Sequence, residues 1–177
     1  MAAAMADNVI LVGFMGAGKS TVGRLVARRL GRCFVETDDM ITAKEGRSIP
    51  EIFAEHGEAH FRALEDEALR LLALKDGDVI ATGGGLPCRE GRPEALRALG
   101  TVVWLAGDFA SLYARARAGG ARPMLAGRRP EEVEALYESR VPYYRRAHVT
   151  IDTAGLGLDQ IAARVVQVVR DRTATAT

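Results

Sequence analysis

The chain has 177 residues, 48% hydrophobic and 27% charged, with a formal net charge of +1. That is enough to bury the core of one domain without staples, and it supplies neither the basic field of a nucleic-acid binder nor an acidic tail. No apolar run approaches a membrane span, and the start Met1-Ala2-Ala3-Ala4-Met5-Ala6-Asp7 lacks the basic n-region and long apolar stretch of a signal peptide. Cys33 and Cys88 are too few and too far apart for a zinc site or a disulfide framework, so they read as free thiols in a reducing, cytoplasmic setting.

The first predicted strand, residues 8–12, is the β-branched run Asn8-Val9-Ile10-Leu11-Val12. It enters Gly13-Phe14-Met15-Gly16-Ala17-Gly18-Lys19-Ser20, which spells G-x-x-x-x-G-K-[ST], the phosphate-binding P-loop. A helix is predicted over 19–30, where Val22, Leu25, Val26 and Leu30 recur at helical spacing. A glycine-rich turn between a strand and a helix aims backbone N–H groups and the helix dipole at a phosphate. Lys19 adds a charge near the β- and γ-phosphates, and Ser20 offers its hydroxyl to Mg²⁺. The chain therefore handles a nucleotide.

A second strand over 33–36 ends in Glu36-Thr37-Asp38-Asp39, at the carboxyl edge where ligands bind in an open parallel sheet. There Asp38 can accept a hydrogen bond from an alcohol and take its proton, while Asp39 is expected to cap a helix over 39–44. A long helix over 57–74 puts Phe61, Leu64, Ala68 and Leu71 on one face, with Arg62 beside Phe61. The third strand, 78–82, runs into Gly83-Gly84-Gly85, a glycine run suited to close approach of backbone to a ligand.

A helix over 92–99, a strand over 101–105 carrying the core residue Trp104, and a helix over 109–117 follow. Residues 118–129 are basic, glycine-bearing and without apolar periodicity, and read as a short lid. A helix over 130–145 carries Arg140. A strand over 148–151 and a helix over 158–170, with Leu158, Ile161, Val165 and Val169 on one face, complete the chain. Arg62 and Arg140 taken singly are ordinary surface arginines; with Asp38 they gain meaning only by converging, which spacing does not reveal. His56, His60 and His148 make no ligand pattern and read as packing or surface residues. Nothing near Cys88 marks it as an activated nucleophile.

Strands alternating with helices predict one α/β domain over 1–177, a parallel sheet covered on both faces, with frayed ends at about 1–7 and 172–177. The ordered set of motifs resembles shikimate kinase, a P-loop kinase of the nucleoside monophosphate kinase type. The matching stretches are Gly13 to Thr21, Glu36-Thr37-Asp38, Gly46-Arg47-Ser48-Ile49-Pro50-Glu51-Ile52-Phe53, Gly57-Glu58 through Phe61-Arg62, and Gly83-Gly84-Gly85. Arg122-Pro123-Met124-Leu125 and Arg140 followed by Pro142-Tyr143-Tyr144-Arg145 complete the set.

The resemblance implies a three-layer fold with a five-stranded parallel sheet in the order 2-3-1-4-5. It also implies transfer of the γ-phosphoryl group of ATP to the 3-hydroxyl of shikimate, in aromatic amino-acid biosynthesis, by a monomer. It carries ATP binding to Gly16, Ala17, Gly18, Lys19, Ser20 and Thr21, and catalysis to Lys19, Asp38 and the lid residue Arg122. Shikimate binding falls to Asp38, Arg62, Gly83, Gly84, Gly85 and Arg140, the two arginines gripping the carboxylate as guanidinium forks. Magnesium falls to Ser20 and, through water, to Glu36, which stands where the family has the first aspartate of Asp-x-Asp. An adenine contact at Arg117 follows from the resemblance alone, and residues near 153–157 receive no assignment. The rival readings are a related kinase acting on gluconate or a shikimate-like metabolite, and a nucleotide-binding switch without metabolite kinase activity.

Overall fold

Short aliphatic strands, too apolar to face water, set the frame. In the computed structural model, which describes residues 7–119 and 125–175, the strands are β1 (Asn8–Val12), β2 (Phe34–Glu36), β3 (Val79–Ala81), β4 (Gly100–Ala106) and β5 (Val149–Asp152). They form one parallel sheet in the order β2-β3-β1-β4-β5. All five residues of β1 are buried, as a central parallel strand covered on both faces requires.

The helices are α1 (Lys19–Leu30), α2 (Thr37–Glu45), α3 (Ile49–Leu72), α4 (Arg92–Leu99), α5 (Phe109–Ala118), α6 (Pro130–Tyr144) and α7 (Leu158–Thr175). Leaving β1, the chain turns one way to β2 and later the other way to β4. Right-handed crossovers therefore put α1 on one face of the sheet and α3 and α4 on the other. The main core gathers Val22 and Val26 of α1, the sheet residues, and Ile161, Val165 and Val169 of α7. A second, smaller cluster of Ile41, Ile52, Phe61, Leu64 and Ala68 holds α2 against α3. Trp104 is buried in β4 as expected. Among the described residues, no helix is long and apolar enough to cross a membrane.

Three local expectations change. The long helix begins at Ile49, not at 57, because Ser48 and Glu51 form a reciprocal capping box with Pro50 in the first turn. Gly57, at φ 76° and ψ 179°, breaks that helix internally instead of starting it. Asp39 does not cap α2: the N-cap is Glu36, and Asp38 and Asp39 both lie in the first turn, where acidic charge complements the helix dipole. Of the ends expected to fray, residues 1–6 and 176–177 lie outside the described residues, and the described parts are held. The Asp7 N–H donates to Asp76 at 2.5 Å, its carboxylate pairs with Arg32, and α7 continues through Thr175.

The amino end of the sheet is tied by one side chain. Buried Asn8 donates from Nδ2 to the carbonyls of Lys75 (3.1 Å) and Leu99 (2.9 Å), and its Oδ1 accepts from the Asp78 N–H (2.9 Å). It thereby joins the chain entering β3 to the chain entering β4. Asn8→Ala strips partners from a buried amide and two carbonyls, and is expected to cost about 2–3 kcal/mol. Urea unfolding should show a lower midpoint at unchanged m-value.

Candidate active site

Three loops leave the carboxyl edge of the sheet where the strand order reverses at β1, the position at which open α/β sheets bind ligands. The loop after β1 runs into Gly18, the left-handed N-cap of α1, and no side chain caps that helix. Its first-turn amides thus face the loop, available to an anion. Gly16 is required for a reason the motif does not announce: a Cβ there would lie 2.2 Å from the Leu112 carbonyl oxygen, so the loop is pressed against the backbone of α5. Lys19 folds over the loop and donates from Nζ to the carbonyls of Gly13 (2.7 Å) and Phe14 (3.1 Å). The Ser20 hydroxyl donates to Glu36 Oε1, and Arg24 lies 3.6 Å from the other Glu36 oxygen.

The P-loop opens towards a cleft of about 1410 Å³ whose walls include Asp38, Arg62, Gly83, Gly84, Gly85 and Arg140. The residues singled out in the sequence for an acceptor therefore share one cavity. Their closeness is tightest along the glycine run. A Cβ on Gly83 would meet Asp38 Oδ1 at 2.6 Å, and one on Gly85 would meet Arg140 Nη2 at 3.0 Å and Arg62 Nη1 at 3.2 Å. A side chain at either position would have to push these charged groups aside. The Gly83 N–H donates to Thr37 Oγ1 at 2.8 Å, and the Gly84 carbonyl accepts from buried Tyr144 Oη at 2.7 Å, which fixes the run in place.

Both arginines are oriented by side chains that sequence reasoning missed. Arg62 donates to buried Glu65 (2.8 Å) and to exposed Glu58 (3.0 Å), and Arg140 lies over the Phe14 ring at 5.7 Å. Glu58 and Glu65 stand at i−4 and i+3 from Arg62 on α3, so helical spacing was their available signal. Burial pushes the Glu65 carboxyl above its ordinary value, with the Arg62 hydrogen bond opposing. The same cleft is also lined by the apolar side chains of Ile49, Pro50, Phe53 and Phe61 from α3, with the Arg62 guanidinium 5.7 Å from the Phe61 ring centroid.

Burial also pushes Asp38 up, to about 6; the Lys19 charge opposes this, and neighbouring carboxylates Glu65, Glu36 and Asp39 add to it. Such a carboxyl changes state near neutral pH, the range in which a general base is effective. Cys88, by contrast, is pushed to about 11 by burial, so it is no nucleophile. A second cavity of about 360 Å³ lies between Gly107, Asp108, Ser111 and Arg115 on one side and Thr153, Ala154, Gly155 and Leu156 on the other. It flanks the P-loop, since Gly16 abuts α5 and a Cβ on Gly18 would meet the Leu158 side chain at 3.1 Å. Arg115 lines this cavity, whereas Arg117, the expected adenine contact, lines the larger cleft. Leu125, Ala126 and Arg128 of the lid segment also border the larger cleft, and Arg122 lies outside the described residues.

A P-loop at the switch point of a 2-3-1-4-5 parallel sheet, opening on a charged acceptor cleft, defines a P-loop phosphotransferase. The chain belongs to the shikimate kinase family: the family model described as shikimate kinase matches residues 15–170. The shikimate kinase of Symbiobacterium thermophilum is 44% identical over 169 residues, covering 93% of this chain and 97% of that one. The Acinetobacter baumannii shikimate kinase solved in complex with shikimate superposes with a TM-score of 0.87 at 37% identity, over 94% of each chain. A Sinorhizobium meliloti gluconokinase shares the fold alone, with a TM-score of 0.59 at 16% identity over 98% of this chain and 97% of that one.

The raised pKa of Asp38 has a consequence for stability. A carboxyl that is harder to ionise in the native state favours folding while protonated, and that contribution is lost as pH rises from about 4 through about 6. At pH 7 the ionised, buried Asp38 costs on the order of 3 kcal/mol relative to a neutral group. Asp38→Asn should therefore be more stable than wild type at pH 7–8, with the gap closing towards pH 4. Urea midpoints measured across this range check the sign.

Proposed function

We propose that this chain transfers the γ-phosphoryl group of ATP to the 3-hydroxyl of shikimate, giving 3-phosphoshikimate and ADP, in aromatic amino-acid biosynthesis. The observation that carries the reading is the meeting of Arg62 and Arg140 beside Gly85, in the cleft that also holds Asp38. Two guanidinium groups turned towards one spot suit a planar carboxylate, which each can grip with paired N–H donors. Asp38 then faces the hydroxyl side of the same small acid.

In this mechanism the amides of Gly16 to Thr21 and the Lys19 ammonium hold the triphosphate, with Lys19 leaving the Gly13 and Phe14 carbonyls for phosphate oxygens. The cavity lined by Arg115 and residues 153–156 takes the base, a guanidinium and backbone groups on either side of a planar ring. Asp38 accepts the acceptor's hydroxyl proton as its oxygen bonds to phosphorus and the bond to ADP breaks. Arg122, from the lid, is assigned to the transferring phosphate. The Ser20 hydroxyl and the Glu36 carboxylate are hard oxygen donors in contact with each other, and would hold Mg²⁺ beside the phosphate loop, Ser20 directly and Glu36 through water. When bound there, Mg²⁺ would supply neutralisation of the charge that develops on the triphosphate. We assign this work to a monomer in the cytoplasm, a reducing setting that suits the free thiols Cys33 and Cys88.

A coupled ADP-release assay over shikimate, quinate, gluconate and nucleoside monophosphates tests the reading. Turnover should be selective for shikimate, and no turnover with it overturns the assignment in favour of another acceptor or a nucleotide switch. Asp38→Asn should lower kcat by about 10²- to 10⁴-fold, the usual range for a lost general base, while ATP still binds. Arg140→Ala removes charge-assisted hydrogen bonds worth about 2–3 kcal/mol and should raise the shikimate KM about 30- to 160-fold. An unchanged KM contradicts the carboxylate clamp.

A further inference from the structure

Away from both cavities, Glu45, His56 and His60 bring three metal-ligating side chains together, their ligand atoms all within 4.8 Å of one another. Glu45 is the last residue of α2, and the histidines flank the Gly57 break in α3. The two imidazole rings remain in contact across that break, with centroids 4.7 Å apart and planes tilted by 51°. His60 Nε2 lies 3.4 Å from Glu45 Oε2. Ligands at about 2.0–2.1 Å around a tetrahedral zinc stand about 3.3 Å from each other. The Glu45–His60 pair is already at that spacing, and His56 has to close by no more than about 1.5 Å.

We propose that Glu45, His56 and His60 form a binding site for a zinc-type divalent cation that clamps the end of α2 to α3. Two imidazoles and one carboxylate are a zinc donor set, and they leave a fourth position for water; Mg²⁺ and Ca²⁺ prefer all-oxygen ligands. A cation already approaches the group: Arg47 Nη1 lies 3.1 Å from His56 Nε2 and 2.9 Å from Glu55 Oε2. Metal entry displaces Arg47 from His56, and Glu55 keeps the guanidinium occupied. The clamp joins the helix that carries Asp38 to the helix that carries Arg62, without entering the cleft between them. It thus fastens the acceptor side of the molecule, and it stands independently of which acceptor is phosphorylated.

The test uses the full, tag-free chain, stripped with a chelator and saturated with ADP and Mg²⁺ so that the P-loop is occupied. Equilibrium dialysis against Zn²⁺, with metal counted per chain, should give one equivalent bound, and Co²⁺ in its place should show the intense visible absorption of a tetrahedral site. His56→Ala, His60→Ala and the isosteric Glu45→Gln should each weaken binding by about tenfold or more, at least the loss that follows removal of an outer-shell metal partner. Cys33→Ser with Cys88→Ser should bind as wild type does. Zn²⁺ should raise the thermal midpoint of the wild type and leave that of His60→Ala unmoved. Absence of saturable Zn²⁺ binding to the wild type overturns the proposal whatever the variants do. Binding that survives in all three variants, or that disappears with the cysteines, also overturns it.

Discussion

Two guanidinium groups held within reach of one backbone position are the constraint on which the rest of the site depends. Arg62 and Arg140 both approach Gly85, and like charges this close repel unless carboxylates are set among them. The chain meets that need from one helix: Glu65, buried, bonds Arg62 from beneath, and Glu58 bonds it from the solvent side. Arg140 has the Phe14 face instead, so its charge is less fully balanced by acids. The acids offset the charge of the arginines, so what the pair offers a ligand is guanidinium N–H donors in fork geometry and not an excess of charge. The glycine run suits the same constraint, since a side chain at Gly83 or Gly85 would displace the Asp38 carboxylate or the guanidinium groups from where they lie.

The molecule divides along its cores. The nucleotide half, with the P-loop, α1, α5 and α7, belongs to the large cluster around the sheet. The half carrying Asp38 and Arg62 rests on the smaller cluster joining α2 to α3, in which Phe61 packs beside Arg62. A small cluster supplies less burial free energy than a large one, so this half is the easier part to deform. Its helices therefore gain most from local fastening: the Ser48–Glu51 capping box, the Lys44–Glu67 pair across α2 and α3, and the Glu45–His60 contact all act there.

Much of this was legible in the sequence because local chemistry and global topology agree. A β-branched run, a glycine loop and an amphipathic helix gave β1 to α1 with the observed bounds, and the alternation of elements gave the parallel sheet. The misreadings share one cause, that a residue's local preference was outvoted by its neighbours. Gly57 looked like a helix start, but the capping box of Ser48 and Glu51 upstream had already begun the helix at Ile49. Asp39 looked like a cap, yet the chain turns into α2 directly from the strand, before Asp39 is reached. The convergence of Arg62 and Arg140, and the grouping of Glu45 with His56 and His60, depend on how α2, α3 and α6 meet. No spacing within a single element contains that information. His148 behaved as a packing residue: its Nδ1 accepts from the Val102 N–H, and burial, with Arg97 and Arg172 nearby, holds it at about 4.

Three carboxylates within the site show how environment sorts one functional group into different tasks. Glu36 is half-buried, bonded to the Ser20 hydroxyl and near Arg24, which keeps it an oxygen donor beside the phosphate loop. Glu65 is buried against Arg62, and its charge is used up in holding a guanidinium. Asp38 is desolvated without a cationic hydrogen-bond partner strong enough to offset the cost, so it is the carboxyl whose affinity for a proton rises into the working range. In the role proposed for it, the same desolvation that makes Asp38 expensive to ionise would make it a better acceptor of an alcohol proton. A base of this kind therefore has to lie where the fold is least comfortable with its charge, at the meeting point of the glycine run, the P-loop lysine and the first turn of α2.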